Sequence, residues 1–168
     1  MIKKIITFVF ILLFCFNAFA ITGVPEYIKN YEEFRDWVTN NFVYKYSFKN
    51  YIQCPEETVR LKTGVCGDFA VLYSAFVSEL LLDNDIIIIE FNGLKQLHAV
   101  CVWRDNQANY IVSDNKRLIY TGKKTIQEAM KYMYWDIKRL YKLSRKEDYY
   151  KHRPYPQPPI FYTPIKIK

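Results

Sequence analysis

The stretch from residue 66 to residue 82, CGDFAVLYSAFVSELLL, constrains the chain more than any other. Its two carboxylates, Asp68 and Glu79, sit near the ends, and the residues between are apolar on most sides. A helix of this kind has no face to give to water, so it must lie centrally, covered by other elements. The run that follows, DIIIIEF, is short and β-branched, the pattern of a buried strand.

The flanking segments supply the cover. Residues 26–42 place Ile28, Tyr31, Phe34, Trp37, Val38 and Phe42 at helical spacing behind Pro25, an amphipathic helix. VYKYSFKNYIQC reads as a loop reaching Pro55, and EETVRLKTG as a short helix stopped by Gly64. Beyond a turn at Asn92-Gly93, QLHAVCVWR and NYIVSD are strands that bracket the polar loop DNQ. TIQEAMKYMYWDIKRLYKL returns to helical spacing, and residues 151–168, rich in proline and aromatics, read as an extended arm, docked or loose. Helices, then strands, then a helix make an α+β fold.

Residues 1–20 are expected to be removed. Lys3 and Lys4 precede the apolar run Ile5 to Phe16, and Ala18-Phe19-Ala20 offers a small-x-small cleavage site. Phe14 is too large for the residue before a lipidated Cys15. The expected organisation is a signal peptide (1–20), one domain (21–150) and the arm (151–168). Export to the periplasm, the cell envelope or the medium follows, with no stable membrane insertion after cleavage. The net charge of +7 suits anionic surfaces, but the basic residues are scattered and nothing resembles a nucleic-acid module.

Export permits disulfides, and the processed chain keeps Cys54, Cys66 and Cys101. One bridge plus one working thiol fits an odd count, and so do three free thiols. Cys66 stands at a helix mouth, where free N–H groups and the helix dipole favour a thiolate. Gly64 and Gly67 are expected to let the backbone turn sharply and to clear space for a substrate. Asp68 opposes the thiolate by repulsion, so Cys66 needs a cationic partner. Taken alone, Cys66 also reads as a small buried residue at a glycine-rich helix start.

His98 is the natural partner, since His152 lies in the basic arm. Alternation places His98, Val100 and Val102 on one face of their strand, with Ala99, Cys101 and Trp103 on the other. If residues 105–107 form a three-residue hairpin loop, Asp114 lies directly opposite His98. A loop of even length would turn Asp114 to the other face. A zinc site built from Cys54, Cys66, His98 and Cys101 is disfavoured, because His98 and Cys101 face apart and no C-x-x-C pair exists.

TGVCGDFAVLYSAFVSELL, then LHAVCVW, then YIVSDN resembles the bacterial transglutaminase-like domain, a branch of the papain-like cysteine enzymes. The resemblance spans about residues 28–120. It implies a central helix carrying the cysteine, packed on a small antiparallel sheet carrying histidine and aspartate. By the resemblance, Cys66 is the nucleophile, His98 the acid and base, and Asp114 the group that orients His98. Asn115 is a second choice for that third role. The Cys66 backbone N–H is an oxyanion donor and Gln53 is the expected second one. Val100 departs from the tryptophan common after the family's His-Ala.

The implied activity is that of a cysteine peptidase or amidase working through a thioester, with transamidation open. A non-catalytic binding or structural module of the envelope is the alternative. The enzyme's expected partner is a protein or peptide substrate, including cell-wall peptides. The enzyme is expected to be a monomer without metal or cofactor.

Overall fold

The computed structural model describes residues 21–46, 51–144, 146–150 and 162–165. The leader, and all of the arm except 162–165, lie outside these residues. Helix α1 (Tyr31–Asn41) begins later than the periodicity predicts, because Asn30 caps it by accepting from the Glu33 N–H at 2.9 Å. Strand β1 (Val43–Tyr44) follows inside the expected loop. Helix α2 (Pro55–Leu61) ends at Lys62 in a left-handed conformation (φ 52°), before Gly64 is reached. Strand β2 (Thr63–Gly64) pairs in parallel with β1.

Helix α3 (Cys66–Glu79) is the central element, with an unbroken buried run from Asp68 to Val77. Next come β3 (Asn84–Phe91), β4 (Leu97–Arg104), β5 (Tyr110–Asp114), β6 (Arg117–Tyr120), α4 (Ile126–Met133), β7 (Ile137–Leu143) and β8 (Tyr162–Ile165). The main sheet has the order β6-β5-β4-β3-β7-β8 and all its pairings are antiparallel.

The sheet is covered on both faces, which explains four consecutive isoleucines. Ile86 and Ile88 belong to the cluster that includes Ala70 and Val71 of α3, while Ile87 and Ile89 join Ala129 and Met130 of α4. Each fully buried isoleucine contributes about 1.5–3 kcal/mol relative to exposure. On its far side α3 meets α1, where the rings of Phe34 and Phe76 stack at 3.9 Å. No helix among the described residues is long and apolar enough to cross a membrane.

One expected element is corrected. The helical spacing predicted through Leu143 stops at Met133, and residues 137–143 form a strand against the free edge of β3. Leu140 is buried in the cluster with α4, and Leu143 in the cluster with α3. A strand buried on both faces can show apolar residues three apart, the same spacing a helical face shows. The described part of the arm, β8, pairs with β7, and its Pro164 is tolerated at the edge of the sheet.

Candidate active site

Cys66 is the first residue of α3, following Val65 in extended conformation. The helix mouth is fastened by Asp68. One of its oxygens accepts the Val65 N–H at 2.9 Å, and the other accepts the Gln53 N–H at 2.7 Å. This arrangement revises the role expected of the glycines. A Cβ on Gly64 would sit 2.8 Å from the Asp68 Cβ, so Gly64 makes room for Asp68 rather than for a substrate. A Cβ on Gly67 would meet Ile52 at 3.4 Å, and neither glycine has a positive φ. No sharp turn requires them.

His98 stands near the start of β4, opposite Ile89 of β3. The β4–β5 register differs from the expected one. Cys101 opposes Ser113 and Val102 opposes Val112, a shift of two residues from direct opposition of His98 and Asp114. The connecting loop is longer because Asp105 organises it, accepting the N–H groups of Gln107 and Asn109 at 2.8 Å each, with Ala108 left-handed. A shift of two preserves the face, so Asp114 becomes a diagonal neighbour of His98, still within side-chain reach.

His98 Nε2 lies 2.9 Å from Asp114 Oδ1. Cys66 and His98 line the same cleft, where the thiol and the ring act on each other's protonation. Asp114 is almost wholly buried, and its charge is met from three sides. Besides His98, the Asn115 amide donates to Oδ1 at 3.0 Å and the Arg117 guanidinium pairs with Oδ2. Asn115 therefore supports Asp114. The hairpin bearing these residues is pinned to α1, where Thr39 Oγ1 donates to the Lys116 carbonyl at 2.9 Å.

The protonation equilibria follow from these contacts. Burial pushes the Cys66 thiol up, but the hydrogen bond and charge of His98, with the backbone N–H groups of Ala99 and Gly67, outweigh it and hold the thiol below its ordinary value. Burial depresses His98, yet Asp114 and Cys66 together raise it to about 9. Burial raises the Asp114 carboxyl, and His98 and Arg117 more than reverse this. The three groups thus favour a thiolate beside an imidazolium. Cys54 and Cys101 behave oppositely. Both are buried and free, and burial pushes both thiols up.

The site opens into a cleft of about 350 Å³ whose walls include Tyr44, Leu94, Leu97 and Tyr134. Two tyrosines here carry no sequence signal. Tyr134 ends α4 and packs edge-on to the His98 ring at 5.7 Å. Tyr44, held on β1, stacks on Phe69 at 6.4 Å and lines the cleft with Cys66. Gln53 is buried and does not line the cleft. His98 and Cys101 face opposite sides of β4, Cys101 lying in the core under α3.

Residues 20–142 match the profile of the transglutaminase-like domain. The chain belongs to this family. A stretch of 36 residues of this transglutaminase-like chain is 56% identical to UPF0252 protein PH1321 of Pyrococcus horikoshii, covering 21% of this chain and 10% of that protein. A crystal structure of a candidate cysteine protease from Cytophaga hutchinsonii is similar over 55% of this chain and 34% of its own, at 27% identity and a TM-score of 0.44. Calcium-bound LapG of Legionella pneumophila is similar over 70% of this chain and 67% of its own, at 17% identity and a TM-score of 0.49. The chain thus spans about a tenth of the Pyrococcus protein and about a third of the Cytophaga chain.

Proposed function

We propose that this transglutaminase-like protein is an exported cysteine enzyme that cleaves amide bonds through a Cys66–His98–Asp114 triad and a thioester intermediate. The observation that carries the reading is the convergence of Cys66, His98 and Asp114 on one cleft, with His98 Nε2 held 2.9 Å from Asp114 Oδ1. Export rests on the leader-like composition of residues 1–20.

In this reading the Cys66 thiolate attacks the substrate carbonyl, and the tetrahedral oxyanion is met by the Cys66 backbone N–H. The Tyr44 hydroxyl, in the same cleft, adds a second donor in this reading, the role for which sequence alone suggests Gln53. The His98 imidazolium gives its proton to the leaving amine, which departs and leaves a thioester. His98, now neutral, takes a proton from water as it attacks the thioester. Collapse releases the acid and restores the thiolate–imidazolium pair. An amine in place of water gives transamidation by the same steps. Asp114 holds the ring orientation and stabilises the imidazolium throughout.

Water is always at hand outside the cytoplasm, so hydrolysis is the default, and the enzyme is a peptidase or amidase. The substrate class is a protein or peptide, including the peptide stems of cell-wall polymer. The test is to incubate the protein with a denatured protein mixture and with peptidoglycan fragments, then to map new termini by mass spectrometry. Amide cleavage that disappears in Cys66→Ala supports the reading. Identical product maps from wild type and Cys66→Ala would instead favour a non-catalytic binding module.

A further inference from the structure

At the far end of α3 from Cys66, a carboxylate sits where electrostatics disfavour it. Glu79 is the last residue of the helix, half-buried, at the end where the helix dipole is negative. The last turn of α3 holds no basic residue, and Glu56 of α2 adds a second negative charge nearby. No ion pair involves Glu79 among the described residues. Its close partner is instead a backbone nitrogen, that of Ile21, 2.6 Å from Oε1.

That nitrogen is held in a built position. Ile21 is 5% exposed and belongs to the core cluster that contains Phe76 and Val77. The chain turns immediately after it, the Val24 N–H donating to the Ile21 carbonyl at 3.2 Å. Gly23, at φ 91°, supplies the left-handed third position of that turn, where a Cβ would sit 2.9 Å from Val59. Ile21 is also the residue that follows Ala18-Phe19-Ala20.

We propose that Glu79 is the receptor for the α-ammonium group created when the leader is removed at Ala20–Ile21, so that processing completes the fold with an ion pair. The inference rests on the export reading above. A signal peptidase directs water onto the Ala20 carbonyl. The C–N bond breaks, hydroxyl goes to Ala20 as a carboxylic acid that ionises, and the Ile21 nitrogen becomes an amine that is protonated at neutral pH. A neutral N–H donor is thereby replaced, at the same spot, by a cation facing the carboxylate. In the unprocessed chain burial and Glu56 raise Glu79 to about 7, against the weaker pull of the Ile21 N–H. The ammonium reverses that balance and holds Glu79 ionised.

The test begins with the full chain expressed with its own leader in an exporting bacterium. Intact-mass analysis of the purified protein identifies its first residue. The α-amine is then acetylated near pH 7 with an N-hydroxysuccinimide ester, in buffer and in urea, and the rate is read by peptide mapping. The expected result is a chain starting at Ile21 whose α-amine labels several-fold slower folded than in urea, with that protection lost in Glu79→Gln. If Glu79→Gln does not accumulate, the folded-to-urea ratio of the wild type decides alone. A chain starting at Ile21 whose folded amine labels as fast as in urea overturns the ion pair and leaves export standing. A chain that keeps Met1 overturns both.

Discussion

Nε2 of His98 meets Oδ1 of Asp114 at 2.9 Å across a diagonal of the β4–β5 pair. The diagonal matters because it keeps both side chains in the cleft that Cys66, at the N-terminal end of α3, also lines.

Asp114→Asn keeps the shape of the side chain but removes the charge that raises His98. We expect the His98 pKa to fall from about 9 towards its ordinary value. Turnover of a peptide substrate should drop about a hundredfold or more. NMR titration of the His98 ring, beside steady-state kinetics, checks both effects. Unchanged turnover would remove Asp114 from the mechanism.

The pH dependence of kcat/KM has a defined sign. On the acid side activity is lost as the Cys66 thiolate gains a proton, at a pH below the ~8.5 of an ordinary thiol. On the alkaline side it is lost near 9, as His98 gives up the proton destined for the leaving amine. The profile is a bell whose acid limb lies below the ordinary thiol range and whose alkaline limb lies near 9. Stability adds an acid limb through Asp114. Its folded carboxyl lies below the unfolded value of about 3.9, so its contribution is complete above that value and is lost as pH falls through the folded one. Thermal melts of wild type and Asp114→Asn between neutral and acid pH should converge at the acid end.

The two glycines flanking Cys66 should respond differently to alanine. Gly64→Ala forces a methyl to 2.8 Å from the Asp68 Cβ and displaces a carboxylate bonded to two backbone N–H groups. The expected cost is about 1–3 kcal/mol, together with slower Cys66 alkylation. Gly67→Ala places its methyl against Ile52 at 3.4 Å, inside the first turn of a helix, and should be within about 1 kcal/mol of wild type. Denaturant melts decide, and equal losses at both positions would contradict the role given to Asp68.

Tyr44→Phe removes one hydroxyl from the mouth of α3 and leaves the ring stacked on Phe69. Loss of an oxyanion donor should lower kcat by roughly a hundredfold. Alkylation of Cys66 forms no oxyanion and should be unchanged. Full activity in Tyr44→Phe would assign the donor elsewhere.

Much of this site was legible in the sequence because its parts lie in strongly patterned segments. The apolar run after Cys66 could only be a covered helix, and DIIIIEF only a buried strand, so the cysteine and the histidine fell on adjoining elements. The face shared by His98 and Asp114 survived an incorrect loop length because the error was an even number of residues. Other features carried no local signal. The side chain of Asp105 sets the true loop, and the apolar spacing of Leu140 and Leu143 fits helix and strand alike. Tyr44 and Tyr134 reach the cleft from β1 and from the end of α4, through contacts that exist only once the layers are assembled. Gly64 announced a constraint, but its cause, an Asp68 side chain that also reaches the Gln53 N–H, is partly tertiary.

Alkylation of Cys66 by iodoacetamide as a function of pH, in wild type and His98→Ala, tests the central claim most directly. The account predicts that Cys66 reacts far faster than Cys54 and Cys101, with an apparent pKa well below the ~8.5 of an ordinary thiol, and that His98→Ala abolishes the advantage. A Cys66 that titrates as an ordinary thiol and is indifferent to His98→Ala would contradict it.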